Sequence, residues 1–138
     1  MTSITARLSA YPVTVDAVTR QGDTYREAYS LQLDDGTGTR ALDLSSVSLS
    51  LAISDKPGGH VAVSGGELVN WQSSGIRVTD AVNGRFVVWV TAADTETTLG
   101  VGTYLYEVVV SFPADHAALP GVVKTLLVGR FAVVEDAA

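Results

Sequence analysis

Apolar residues recur at every second position along most of this chain. Tyr25, Glu27, Tyr29, Leu31 and Leu33 alternate with Thr24, Arg26, Ala28, Ser30 and Gln32, and Val47, Leu49, Leu51 and Ile53 alternate with Ser48, Ser50 and Ala52. A period of two places successive side chains on opposite faces of an extended strand, so each run predicts one buried and one solvated face. The same pattern predicts strands over 12–18, 61–64, 67–71, 75–79, 85–91, 103–112 and 122–134, about eight or nine in all.

Turn residues separate these runs. "DDGTGT" (34–39) follows Leu33, "KPGG" (56–59) and "SGG" (64–66) break the chain, and "PADHAALPG" (113–121) joins the last two strands. Asn83-Gly84 lies between two apolar strands and predicts a two-residue hairpin turn with positive φ at both positions. Only "TAADTETTLG" (91–100) reads as helical, a single turn near 93–98 that Asp94 or Thr95 would cap and Gly100 would end. Strands at this spacing without intervening helices predict an all-β protein, an antiparallel immunoglobulin-like β-sandwich forming one domain over 1–138, with residues 1–11 as a loose N-terminal arm.

Two strands raise particular questions. Residues 86–90 are apolar on both faces, Phe86, Val88 and Val90 on one and Val87 and Trp89 on the other, so a flanking segment or another subunit must cover the second face. In "GTYLYEVVV" (102–110), Tyr104 and Tyr106 head a stripe continued by Val108, Val110 and Phe112. Such a stripe places both tyrosines in the interior, each gaining roughly 1.5–3 kcal/mol by burial if its hydroxyl finds a partner.

Composition narrows the chemistry. The chain has 138 residues, 46% of them hydrophobic and 17% charged, which suits a packed domain and excludes disorder as the overall state. No cysteine is present, so disulfides, thiolate catalysis and sulfur-ligated zinc are excluded. A net charge of −6, with Lys and Arg scattered singly, argues against nucleic acid and against anionic membranes as partners. No stretch has the apolar length of a signal peptide or a membrane span, which predicts a soluble chain without a secretory address.

Candidate functional residues are few. His60 and His116 stand in loops without a ligand at metal spacing. Asp34, Asp35 and Gly36 begin like a calcium loop but lack the alternating acids and closing glutamate. Asp94, Glu96 and Asp115 would form a hydrolytic pair only if folding happened to bring them together. No nucleophile elbow or phosphate loop occurs, and "GVGTYL" (100–105) has Leu105 where a dinucleotide fingerprint needs its third glycine. The residues therefore indicate no catalytic site, no metal site, no cofactor and a protein that is not an enzyme. Trp71 and Trp89 remain as a candidate sugar platform, with Trp89 better placed for a core or interface role.

The order of several short motifs carries a resemblance. Gly22-Asp23-Thr24, Leu42-Asp43-Leu44, Asn83-Gly84-Arg85, a short turn ending at Leu99, Gly102-Thr103-Tyr104-x-Tyr106-acid and Thr125-Leu126-Leu127-x-Gly129 together resemble small β-sandwich virion proteins of tailed bacteriophages. The best-described of these is the N-terminal domain of siphophage upper baseplate proteins. The resemblance spans about 22–136; Glu107 stands where aspartate is usual, and Ser45-Ser46 replaces Thr-Gly. It implies a structural component of the virion, assembled in the host cytoplasm at a tail tip, baseplate or fibre attachment. The implied partners are other virion structural proteins, in a homo-oligomer or ring. It carries over no catalytic residue. Capsid decoration, a head fibre, and a carbohydrate- or receptor-binding module using Trp71 and the loops 56–60 and 113–121 are the alternatives.

Overall fold

The computed structural model describes residues 4–8, 13–34, 39–55, 59–68, 70–116 and 119–135. Eleven strands occur among them: β1 (Ile4–Leu8), β2 (Val13–Thr14), β3 (Ala17–Arg20), β4 (Tyr25–Asp34), β5 (Thr39–Ala41), β6 (Ser48–Ser54), β7 (Val61–Gly65), β8 (Gly75–Asp80), β9 (Arg85–Val90), β10 (Gly102–Ser111) and β11 (Val123–Val134). They form two sheets. One runs β1-β4-β9-β8, with β5 also on β4; the other runs β2-β11-β10-β6-β7, with β3 also on β11. The all-β sandwich expected from the alternation is present, with one short helical segment, Asp94–Leu99, between β9 and β10.

The core follows the predicted faces. Leu49, Leu51 and Ile53 of β6, Tyr106, Val108 and Val110 of β10, and Phe86, Val88 and Val90 of β9 are all buried in one cluster between the sheets. Polar residues at alternate positions, such as Ser48 and Ser50, are exposed. The period-two pattern thus settles both the strands and the side on which the two sheets meet.

Four expectations require correction. The sheets are mixed rather than wholly antiparallel, because β1 runs parallel to β4 and both β2 and β3 run parallel to β11. Residues 4–8 of the expected loose arm lie in β1, held by backbone pairing from Ile4↔Tyr29 to Leu8↔Leu33. Of the expected strand over 67–71, the described residues form only a bridge between Glu67 and Ile76, on the segment that crosses between the layers. The 83–84 turn is not of the two-residue kind: the Gly84 N–H donates to the Ala81 carbonyl, and Gly84 alone takes a positive φ, +68°. The loop spans four residues, so one left-handed position suffices to return the chain. A side chain there would also strike the Leu31 and Leu42 carbonyls, 2.5 and 2.7 Å from a Cβ.

The split between β2 and β3 has a specific cause. At Val15 the chain turns its carbonyl inward over Gly129, where a Cβ would stand 1.9 Å from that oxygen. The Tyr106 hydroxyl donates to the same carbonyl. On either side, Val15 N donates to the Val128 carbonyl at 2.9 Å and Arg130 N donates to Asp16 Oδ1 at 3.0 Å. Gly129 and Tyr106 lie directly opposite in the β10–β11 register, so the two motif residues act as one unit. Tyr104 plays a similar part nearby, donating to the Leu99 carbonyl at the end of the helical segment.

Tyr106 also joins an aromatic seam between the sheets. Its ring and that of Tyr25 each meet Phe131 edge-on, at centroid distances of 6.2 and 5.0 Å, and Tyr29 stacks on Phe86 at 5.3 Å. Among the described residues the Tyr29 hydroxyl is buried without a hydrogen-bond partner. Burial is the main reason that Tyr25, Tyr29 and Tyr106 all hold their protons above the ordinary phenol value of 10.

Two predictions follow from this seam. Tyr106→Ala should cost about 3–5 kcal/mol as a large-to-small core change, whereas Tyr29→Phe should match or exceed the parent because it removes a desolvated, unpaired hydroxyl. Chemical denaturation measures both, and a Tyr106→Ala melt equal to the parent contradicts the core placement. The second prediction concerns pH. The folded phenols titrate above the unfolded ones, so their stabilisation is intact below about pH 10 and declines as pH rises past it, by up to about 1.4 kcal/mol per unit for each tyrosine. Denaturation midpoints taken from pH 8 to 12 should fall above 10, and less steeply in Tyr29→Phe.

Candidate functional site

The segment linking β7 to β8 crosses from one sheet to the other and shapes the surface on both sides. Its first part follows the edge of β8: Ile76 N donates to the Gly66 carbonyl at 3.0 Å, and Leu68 N to the Ile76 carbonyl at 2.7 Å. The Arg77 guanidinium reaches the Leu68 carbonyl at 3.3 Å. Further along, the Asn70 carboxamide accepts from Gln72 N at 2.9 Å, a local bond that turns the chain around Trp71.

That turn places Trp71 against Trp89. The ring centroids are 4.6 Å apart at an angle of 53°, and the Trp89 indole N–H donates to the Trp71 carbonyl at 3.1 Å. Arg77 lies 5.1 Å from the Trp71 ring centre, within reach of a cation–π contact. Val87, the other apolar residue on this face, is only 1% exposed in the single chain. A flanking segment, one of the two covers expected from the sequence, therefore lies over this face of β9 through Trp71. Trp89 is half-buried under Trp71, and Trp71 keeps 38% of its surface exposed. The pair forms a small aromatic patch rather than an open platform of two free ring faces.

The last part of the segment packs toward the helical turn. The Ser74 hydroxyl donates to Asp94 Oδ2 at 2.5 Å and accepts from Thr91 N at 3.0 Å, while the Thr98 hydroxyl donates to Asp94 Oδ1 at 2.8 Å. Neither expected cap fills that role. The Thr91 hydroxyl accepts from Asp94 N at 3.2 Å, and Thr95 is fully buried. The Thr95 hydroxyl donates to the Asp23 carbonyl at 2.8 Å and accepts from Gly22 N at 3.2 Å, which ties the Gly22-Asp23 turn to the helical segment. Gly100 ends the segment with φ of 72°, as expected.

An open cleft of about 470 Å3 lies beside this network, between β7 and the residues Gln72–Ser74, Thr91, Ala93 and Asp94. Hydroxyl, amide and backbone groups dominate its walls. Its position was not legible in the sequence, because it depends on where the β7–β8 crossover comes to rest.

The other candidates stay apart. His60 is exposed. His116 Nδ1 accepts from Leu119 N at 3.0 Å, and its ring meets Phe112 at 4.9 Å, so it stabilises its own loop. Glu96 and Asp115 are exposed and take no part in the Asp94 network. Asp35 and Gly36 of the calcium-like loop, and residues 56–58 and 117–118 of the two loops proposed for glycan contact, lie outside the described residues. Among the described residues no three His, Asp or Glu side chains gather as a metal site, and no helix is long and apolar enough to cross a membrane. Asp43, on the surface, accepts from both the hydroxyl and the amide of Ser45, which hold its carboxyl below the usual range. Ser45 thus closes the turn after "LDL".

No protein-family model matches the chain, and no curated protein is similar to it. Among solved structures, the N-terminal domain of phage TP901-1 ORF48 is similar, with a TM-score of 0.50 and 12% sequence identity over 99% of this chain and 100% of that one. At that identity the likeness concerns the fold, which the two chains share from end to end.

Trp71→Ala should uncover Trp89 while leaving the core intact. The expected result is a red-shifted Trp89 emission and a loss of about 0.5–1.5 kcal/mol beyond the area effect, read by fluorescence-monitored denaturation. An unshifted emission contradicts the stacked arrangement.

Proposed function

We propose that this protein is a structural component of a bacteriophage virion, a docking module of the tail tip, baseplate or fibre attachment. The observation that carries this reading is the likeness of the whole fold to a domain of a phage protein, with which the motif order agrees. That order resembles baseplate sandwich proteins of siphophages. The motifs match physical necessities of the fold: Gly129 admits the Val15 carbonyl, Tyr106 binds it, and Gly22-Asp23 anchors on Thr95.

The surface suits docking better than reaction. The Asp94 carboxylate is engaged by hydroxyls, the histidines are separate, and the aromatic pair closes on itself. The protein in this reading is not an enzyme and works through contacts with other virion proteins, in a ring or other symmetric assembly. A glycan-binding role has less support, because Trp71 spends part of its ring on Trp89.

Cryo-electron microscopy of purified particles tests the assignment. The chain should appear at the tail tip or baseplate in about six copies or a small multiple. Hundreds of copies on the capsid would move it to a decoration role, and absence from the particle would end the virion reading. A glycan array showing binding that Trp71→Ala abolishes would favour the receptor-binding alternative.

A further inference from the structure

The cleft beside β7 runs along the edge of a sheet. β7 is the last strand of its sheet, paired with β6 on one side only. Among the described residues no backbone hydrogen bond reaches Ala62, Val63 or Ser64 from outside that pairing. At Gly65 the Ser74 carbonyl lies over the face of the strand, 2.0 Å from where a Cβ would stand, so the crossover packs against β7 there. The free stretch is short, because β7 has only five residues, and Val61 at its start is 46% exposed.

We propose that this groove receives an extended segment of another protein chain, which adds to the sheet as a strand alongside Ala62–Ser64. An unpaired strand edge offers N–H and C=O groups at alternating positions about 6.8 Å apart, two residues of rise, a spacing that another extended backbone matches and a sugar ring does not. The opposite wall adds polar side chains. The Ser73 hydroxyl and the Gln72 carboxamide there, and the Ser64 hydroxyl on β7 itself, make no side-chain hydrogen bond to any described residue. Trp71 is absent from the lining, so the cleft lacks the aromatic floor that a saccharide site would use.

Charge selects the segment. Asp94 is the one ionisable side chain that lines the groove. Its two oxygens hold the Ser74 and Thr98 hydroxyls, and a carboxylate has about four acceptor positions, so capacity remains for a cation. The segment that fits has small or β-branched residues and a Lys or Arg that reaches Asp94, in keeping with the acidic balance of the whole chain. The inference deepens the virion reading, and rests on it for the segment's source: an extended tail or linker of a neighbouring virion protein.

The test uses the full chain against an array of synthetic peptides of about seven residues, the length of an ordinary strand. Peptides of alternating small and β-branched residues with a central Lys or Arg should bind, and the amide resonances of Ala62–Ser64 should shift. Ser64→Arg, an exposed change, should weaken binding about tenfold or more by filling the groove while the melting temperature holds. Asp94→Asn, which preserves the oxygen that accepts from one hydroxyl, should remove the preference for Lys and Arg peptides over neutral ones. Absence of any binding peptide, resonance shifts confined to other surfaces, or a neutral oligosaccharide that shifts Ala62–Ser64 in place of peptides overturns the proposal. Particle microscopy separates the two readings. A virion-located chain with a bare β7 edge sinks this inference alone, and peptide binding by a chain absent from particles sinks the virion assignment alone.

Discussion

The fold depends on one buried contact in which three elements share a single oxygen. The Val15 carbonyl points inward between β2 and β3, passes over the bare Cα of Gly129 and accepts the Tyr106 hydroxyl. A carbonyl turned into an apolar interior needs a partner, because leaving it dry and unpaired costs about 1–3 kcal/mol. Tyr106 supplies that partner while its ring fills the seam beside Phe131. The N-terminal strands are thereby fastened to β11, and the sheet gains a parallel edge that its hairpins alone would not produce.

Everything else is arranged around that closure. With the N-terminal segment shared between the two sheets, β1 on β4 and β2–β3 on β11, the layers are stitched at one side. On the other side the β7–β8 crossover performs the same task. It covers the apolar outer face of β9 with Trp71 and sets Ser74 against Asp94. The helical segment is held from two directions, by Ser74 and Thr91 and by the Gly22-Asp23 turn through Thr95. The result is a sandwich whose β7–β8 crossover and helical segment are tied to its layers, which leaves strand edges and crossover surfaces as places where another molecule can attach.

Much of this was legible in the residues because the interior imposes a strict period of two. The runs at 47–53 and 103–112 identify both the strand and its buried face, since exchanging the faces would expose a whole row of aliphatic side chains. Tyr106 was readable as an interior residue for the same reason, whereas Tyr104, expected beside it in the core, is only half-buried against it. Elements defined by distant partners were hidden. β1 alternates over only five residues, from Ile4 to Leu8, and β5 over three, runs too short to stand alone as strands; both pair with β4. The break at Val15 is dictated by Gly129, more than a hundred residues away. Residues 67–71 are apolar enough to read as a strand, yet Trp71 packs on Trp89. The cleft beside β7 follows from that displacement, so nothing local announces it.

The most direct measurement of the central contact is amide hydrogen exchange resolved by residue. The amides of Val15, bonded to the Val128 carbonyl, and of Arg130, bonded to Asp16, flank the Tyr106–Gly129 closure. The account predicts protection at both that approaches the global unfolding limit and drops selectively in Tyr106→Phe, where the Val15 carbonyl loses its donor. Exchange at Val15 and Arg130 as fast as in an unfolded chain, with the rest of β11 protected, would show that the N-terminal strands are not fastened there and would contradict the account.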